Sequence, residues 1–336
     1  MIKFIGLYLR FPRILILIAF LILLTLPFYT GSYILHVVII ILFFGYLGSC
    51  WNIVAGYAGQ ISLGHAIFFG AGAYTSTVLF LKAGLSPWIG MWAGGVSGML
   101  LGLFIGYLTF RYGLKGHYFI LATLAFGALT KVIALNIEKI GGAQGLIIPF
   151  KAGLSNFQFV GKIHYYYFVL FMVVGIILIS ALIEKSRFGQ ILMAIREDEE
   201  AAESLGVNTF KYKLMAMVLS SFLTSLIGPF YAFYIGYIHP DILFNPFVSI
   251  QITLIPITGG MGSIFGPIVG SFILSPISEI TRGFLGKFSG LHLMVWGLII
   301  MFIVIQIPRG IIVELQDYFR KLRSKTPGGR VAWISK

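Results

Sequence analysis

Charge is densest in this sequence over residues 184–213, where Lys185, Arg187, Arg196, Lys211 and Lys213 stand among Glu184, Glu197, Asp198, Glu199, Glu200 and Glu203. The chemistry this suggests is ionic docking rather than catalysis. The six histidines are scattered, with no His-x-x-x-His pair and no carboxylate at metal-site spacing. A phosphate cradle of the form Gly-x-x-x-x-Gly-Lys-[Ser/Thr] is missing, and the nearest look-alike, Gly283 to Lys287, has the wrong spacing. The single cysteine, Cys50, can form neither an internal disulfide nor a cysteine metal cluster. We therefore expect no catalytic residue, no metal and no cofactor in this chain, and any ATP that drives it must bind elsewhere. A second set of capable residues is uncharged. Asn52, Gln60, Ser62 and His65 offer hydrogen bonds suited to a zwitterionic or amide solute.

The surrounding composition decides what these groups sit in. Hydrophobic residues make up 58% of the 336 and charged residues 10%, against about a quarter charged in soluble domains, and mean hydropathy is +0.96. That much apolar surface needs lipid as its solvent, and long unbroken apolar runs predict helices rather than a barrel. The first run, 14–28, follows Lys3, Arg10 and Arg13 but precedes no small-residue cleavage pattern, so it reads as a retained helix. Basic residues cluster near span ends, at the N-terminus, at Arg111 and Lys115, over 185–213 and in the tail. This is the positive-inside pattern of cytoplasmic loops and not a nucleic-acid surface. The expected fold is an all-α integral membrane protein with both termini inside. Spans are expected near 14–30, 33–54, 66–82, 88–110, 117–136, 164–183 and 212–238, then short pieces at 247–258 and 264–277, and a last span near 290–308. That is about ten segments, two of them short and Gly/Pro-broken. The stretch 247–277 is expected to enter and leave on one side.

All eleven acidic residues, Glu138, Glu184, Glu197, Asp198, Glu199, Glu200, Glu203, Asp241, Glu279, Glu314 and Asp317, are placed in loops, tails or span ends. Proton coupling needs a titrating group inside the bilayer, so it is disfavoured; sodium coupling through backbone carbonyls stays open. Two polar interludes lie at membrane depth, Gly56-Tyr-Ala-Gly-Gln-Ile-Ser-Leu-Gly64 and Gly259-Gly-Met-Gly-Ser-Ile-Phe-Gly266. Unwound backbone there must be covered by protein or line a watery cavity, and paired breaks of this kind point to a transport site. The two breaks are expected to approach each other or the translocation path. Gly94, Gly98, Gly102 and Gly106 form a stripe for close helix packing. Trp88, Trp92 and Tyr165-Tyr-Tyr167 read as interfacial anchors.

Within the charged segment, residues 190–206 predict one amphipathic helix closed by Gly206, with Ile191, Ala194, Ala201 and Leu205 on its apolar face. Membrane-surface helices favour Lys and Arg on the polar side, whereas this one carries five acids against Arg196. Docking to a protein partner fits that charge.

Glu200-Ala-Ala-Glu-Ser-Leu-Gly206 resembles the EAA-x-x-x-G signature of bacterial ABC-importer permeases, whose coupling helix docks on the ATPase. The segment from Trp51-Asn-Ile-Val-Ala-Gly-Tyr-Ala-Gly-Gln-Ile-Ser-Leu-Gly-His65 to Tyr74 looks like the hallmark of branched-chain amino acid permeases of the LivM type. So do Gly141-Gly-Ala-Gln-Gly-Leu146, Ser186-Arg-Phe-Gly189 through Gly206, and Gly259-Gly-Met-Gly-Ser-Ile-Phe-Gly-Pro267. The importers' downstream Ile-x-Leu-Pro is replaced by Leu214-Met-Ala-Met217, a subfamily difference. The resemblance implies a permease domain over 1–310, with a coupling helix at about 190–206, and a basic cytoplasmic tail over 311–336. It implies a homologous second permease, two ATPase subunits, an extracytoplasmic solute-binding protein and a bacterial inner membrane. Coupling would fall to Arg196, Glu200, Ala201, Ala202 and Gly206. Candidate path residues are Asn52, Gly56, Gly59, Gln60, Ser62, Gly64, His65, Gly142, Gln144, Gly145, Gly259, Gly260 and Gly262. The implied solute is a branched-chain amino acid or a close relative such as urea or a short amide. The alternatives are a sodium-coupled secondary transporter and, from a third class, a membrane-embedded enzyme.

Overall fold

The computed structural model describes residues 13–285, 290–306, 310–312 and 314. The basic N-terminal residues Lys3 and Arg10, the tail arginines and lysines, and Lys287 lie outside them. The described chain is helical: α1 (Arg13–Tyr29), α2 (Ser32–Asn52), α3 (His65–Ala83), α4 (Pro87–Arg111), α5 (Gly116–Asn136), α6 (Lys162–Lys185), α7 (Arg187–Glu197), α8 (Glu199–Ser204), α9 (Thr209–Leu226), α10 (Gly228–Ile235), α11 (Pro240–Leu243), α12 (Pro246–Gly259), α13 (Gly266–Leu285) and α14 (Leu291–Gln306). A two-residue antiparallel pair, β1 (Leu146–Ile147) with β2 (Tyr237–Ile238), is the one sheet in these regions. Among the described residues, seven helical stretches are long and apolar enough to cross a membrane, including Ser32–Tyr57, Thr209–Ile235 and Pro240–Gly259. The chain is a multi-pass membrane protein.

Local chemistry sets the helix ends. Pro87, Pro240 and Pro246 stand in first turns, where no amide donor is needed. Asn208 accepts from the Lys211 amide at 3.0 Å to start α9, and Gly84 closes α3 in the left-handed region at φ 64°.

Helix α2 is the axis of the bundle, because 89% of its apolar window is buried. It carries Phe43, Tyr46, Leu47 and Trp51 into the main core, with Phe68, Tyr166 and Phe230 supplied by α3, α6 and α10. By contrast only 22% of the α5 window is covered. The predicted glycine stripe is where α4 meets its neighbours. A Cβ on Gly98 or Gly102 would overlap the Ser225 or Ser221 hydroxyl of α9, and one on Gly94 would stand 2.8 Å from the Gly72 carbonyl of α3. The backbones approach because nothing intervenes.

Several expectations are corrected. Residues 190–206 are not one helix. Asp198 is extended (φ −158°) and its side chain accepts from the Ala201 amide at 3.0 Å, so it ends α7 and caps α8. The buried face is Gly189, Leu192, Ile195 and Ala202, while Ala194, Ala201 and Leu205 are exposed and Ile191 is half-buried. The piece that was to stop at 277 runs on as α13 to Leu285, since Pro276 is accommodated inside the helix; Glu279 therefore lies within a helix and not in a loop. Tyr165 and Tyr166 are buried rather than interfacial, with the Tyr166 hydroxyl donating to the Leu23 carbonyl at 2.5 Å.

The bundle has two distinct ends. One bears α7, α8 and both glycine breaks; the other bears the β1–β2 pair. Helix α13 starts beside Gly45 and reaches Tyr33 near Gly283, which carries the chain from the first end to the second. Residues 310–312 are back beside Gly260, so α14 returns it.

Candidate functional site

The α2 helix does not stop at Asn52 but widens into one π-helical turn, Ile53–Tyr57, a form concentrated at functional bends. The amides of Gly59 and Gln60 still reach back to Ala55 and Val54 at 3.1 Å. Beyond them the chain unwinds to Gly64, and every donor or acceptor freed in a dry interior needs a partner. Trp51 Nε1 donates to the Ser62 carbonyl at 2.7 Å, and Ser62 Oγ accepts from the Gly64 amide at 3.2 Å. Amides at the entry to α3 are met from other helices, Leu63 before it by Thr123 and Ala66 in its first turn by Ser249. His65 Nε2 pairs with Ser220 Oγ at 2.9 Å, and that hydroxyl bonds the Cys50 carbonyl.

The second break is organised by one serine. Ser263 Oγ donates to the Gly260 carbonyl at 2.8 Å and accepts from the Gly266 amide at 2.9 Å, capping α13. Gly260 and Gly262 need glycine, at φ 125° and 82°. The two breaks meet through Asn52: its amide donates to the Ser263 carbonyl at 3.0 Å and its carbonyl oxygen accepts from the Gly262 amide at 2.8 Å. A Cβ on Gly56 would stand 2.7 Å from the Gly262 nitrogen.

Arg196, on the last turn of α7, joins the charged arm to this junction. Its Nη1 donates to the Gly56 carbonyl at 2.7 Å and its Nη2 to Glu197 at 2.8 Å. Gly262 and Gly59 leave it room, since a Cβ there would come within 2.6 Å of Nη1 and 2.9 Å of Cγ respectively. Farther along the arm, Glu199 on α8 takes Lys213 of α9 at 2.5 Å and Lys115, before α5, at 3.6 Å. Lys213 also lies over the Phe110 ring. Glu200, Ala201 and Gly206 stay exposed, and Gly206 takes φ 84° with open space around it.

The structure thus gathers Asn52, Gly56, Gly59, Gln60, Ser62, Gly64, His65, Gly259, Gly260, Gly262 and Arg196 at one end, and Asn52, Gln60, Ser62 and His65 are buried there. It separates Gly142, Gln144 and Gly145 from them. Those residues lie beyond the far end of α5, where Tyr237 donates to the Gln144 carbonyl at 3.2 Å and His239 Nε2 to that of Ala143 at 3.1 Å. Gly64 is level with Thr123, which lies 13 residues before Asn136, about 20 Å along the helix. Sequence reasoning missed Lys213 and its ties to Glu199 and Phe110. Its signal was a lysine on an otherwise apolar helix face, which demands an acid nearby.

The family model for "Branched-chain amino acid transport system / permease component" matches residues 32–304, from α2 into α14. This chain belongs to that family. The permease is 28% identical over 291 residues to the high-affinity branched-chain amino acid transport system permease protein LivM of Escherichia coli, covering 79% of this chain and 67% of that one. It is 29% identical to the LivM protein of Salmonella typhimurium, over 85% of this chain and 71% of the relative. It is 24% identical to a probable LivH permease of Methanocaldococcus jannaschii, over 69% and 75%. The comparison with solved structures gives no match. The matched region contains both breaks, the arm and the β1–β2 end.

Proposed function

We propose that this permease is one of two homologous membrane subunits of an importer for branched-chain amino acids or a closely related small solute, driven by two separate ATPase subunits that dock on α7 and α8. The carrying observation is the Arg196–Gly56 bond, with Asn52 behind it. A force on the charged arm is delivered through Arg196 to the point where α2–α3 and α12–α13 are tied together, so both hairpins are addressed from one contact. The exposed Glu200, Ala201 and Leu205 supply an acidic and apolar surface for the partner.

In this reading the arm end is cytoplasmic, in keeping with Arg111, Lys115, Lys185, Arg187, Arg196, Lys211 and Lys213 at that end. The reading has ten helical crossings with both termini inside, and the return of residues 310–312 to the arm end supports it. An extracytoplasmic binding protein delivers solute at the β1–β2 end, and the membrane is the bacterial inner membrane. The names of the LivM and LivH relatives support the amino-acid substrate and the second permease.

Purification of the tagged chain with the products of its neighbouring genes tests this. The expected result is co-elution of a P-loop ATPase, and vesicles that accumulate leucine only when ATP is supplied. A chain that elutes without an ATPase and takes up solute on a sodium gradient refutes it in favour of the secondary-transporter alternative.

A further inference from the structure

At the β1–β2 end a cluster of polar groups is left over from the packing of the backbone. Lys131, five residues before the end of α5, pairs with Asp241 of α11 at 2.7 Å, and both side chains stay partly exposed (30% and 53%). The placement is costly. Charged groups inside a span face protein or water rather than hydrocarbon, and α5 is the least covered of the seven long apolar stretches. This ion pair therefore marks a hydrated face.

The groups around it are fixed. His239 donates from Nε2 to the Ala143 carbonyl and accepts at Nδ1 from the Asp241 amide at 3.1 Å. His239 Nδ1 also lies 3.5 Å from the Asp241 carboxylate, so the ring and Lys131 both face that group. Gly145, at φ 71°, packs its backbone against Ile238, Tyr237 and His239. One group is unmatched. The Tyr74 hydroxyl is buried and has no hydrogen-bond partner, and its residue packs beside the end of α11. Its ring is held by stacking on Phe244 at 5.6 Å. A simple clamp between α5 and α11 makes no use of this held, unsatisfied donor on α3.

We propose that Lys131, Asp241 and the Tyr74 hydroxyl form an entry site for the two charged ends of a zwitterionic α-amino acid. The solute carboxylate takes the Lys131 ammonium, the solute ammonium takes the Asp241 carboxylate, and the Tyr74 hydroxyl donates to the group that displaces the pair. A zwitterion replaces both halves of the ion pair it opens. A neutral amide such as urea replaces neither, so the site selects against it. This inference rests on the import reading above and narrows its substrate class.

The test uses the full importer complex in vesicles with its binding protein, with leucine and urea as probes. Lys131→Met and Asp241→Asn are each expected to raise the KM for leucine at least tenfold while the subunits still elute as one assembly, and Tyr74→Phe to raise it severalfold. The exchanged pair, Lys131→Asp with Asp241→Lys, restores any structural clamp but reverses the polarity offered to the solute. It is expected to assemble and to keep the raised KM. Wild-type KM in the single variants, or in the exchanged pair, overturns the proposal. A wild-type complex that takes up urea but not leucine overturns the amino-acid part of the function itself, before any variant is measured.

Discussion

Removing either partner of the Lys213–Glu199 pair is expected to have unequal effects, and the inequality follows from what each partner keeps. Lys213 is 4% exposed, and its partners named here are Glu199 at 2.5 Å and the Phe110 ring at 5.3 Å. In Glu199→Gln the ammonium is left with the ring and a neutral amide oxygen. An uncompensated buried charge costs about 3–5 kcal/mol, and the ring interaction returns about 1 kcal/mol, which leaves a loss of about 3 kcal/mol. In Lys213→Met the carboxylate keeps Lys115 at 3.6 Å and retains some access to water. Its loss is then about 1–2 kcal/mol, in the range of a charged hydrogen bond. The double variant leaves no orphan charge, so it should lie near Lys213→Met and show about 2–3 kcal/mol of coupling. Equilibrium unfolding of the purified subunit in mixed detergent and SDS micelles measures all of these. A Lys213→Met loss equal to that of Glu199→Gln, or strict additivity in the double variant, would refute the argument that burial of the lysine dominates.

Arg196→Lys keeps the charge of Arg196 but cannot hold Gly56 and Glu197 from one planar fork; it is expected to lower ATP-driven uptake about tenfold while the ATPase still co-purifies, and loss of co-purification would place Arg196 in the docking face instead. Gly98→Ala should destabilise the subunit by about 1–3 kcal/mol, because the methyl overlaps the Ser225 hydroxyl that bonds Phe68. Gly175→Ala, with open space at the same distance, should be neutral or gain about 0.5–1 kcal/mol; equal thermal-aggregation midpoints for the two would remove the close-packing explanation of the stripe. Gly206→Val meets no neighbouring atom, so its expected loss of about 1 kcal/mol or more is purely a matter of φ. Normal uptake and normal protease resistance of the α8–α9 turn in that variant would contradict it.

The spans from α2 to α10 were legible because apolar run length reports helix length directly when lipid is the solvent. The two breaks were legible because glycine at φ 82° or 125° has no common substitute. What failed had different physics. Asp198 reads as one more acid on a polar face, yet an aspartate is also the best available N-cap, and the cap won over helix continuity. The piece 264–277 was expected to end beside Pro276 and short of Glu279, but a membrane helix tolerates proline when its neighbours cover the freed carbonyl, so α13 continued. The tyrosines 165–167 carry the composition of an interfacial belt. Only the register of α6 shows that two of them turn inward. The ties Lys213–Glu199 and Lys131–Asp241 join residues 14 and 110 positions apart, and no periodicity within one element announces them.

The bonding at the breaks bears on where a solute can pass. Asn52 spends its amide and its carbonyl on residues 263 and 262, Ser62 is held by Trp51, Thr253 and Gly64, and all of these but the half-buried Gly262 are buried within the one chain. A path opened through that junction would have to break the contacts that define it, leaving unsatisfied donors and acceptors in a dry interior at about 1–3 kcal/mol each. The uncovered surfaces carry no such penalty. Helix α5 shows its partner-free face to whatever lies beside it, and the Lys131–Asp241 pair sits on that helix toward the β1–β2 end. The groove between α4 and α9, by contrast, is lined by Met99, Leu103, Leu214, Met215, Val218, Leu219 and Phe222 and offers a zwitterion nothing to bond. On the proposed import function, the division we infer is that the glycine breaks act as the joint that α7 grips, while the solute travels along a face that this subunit shares with its partner.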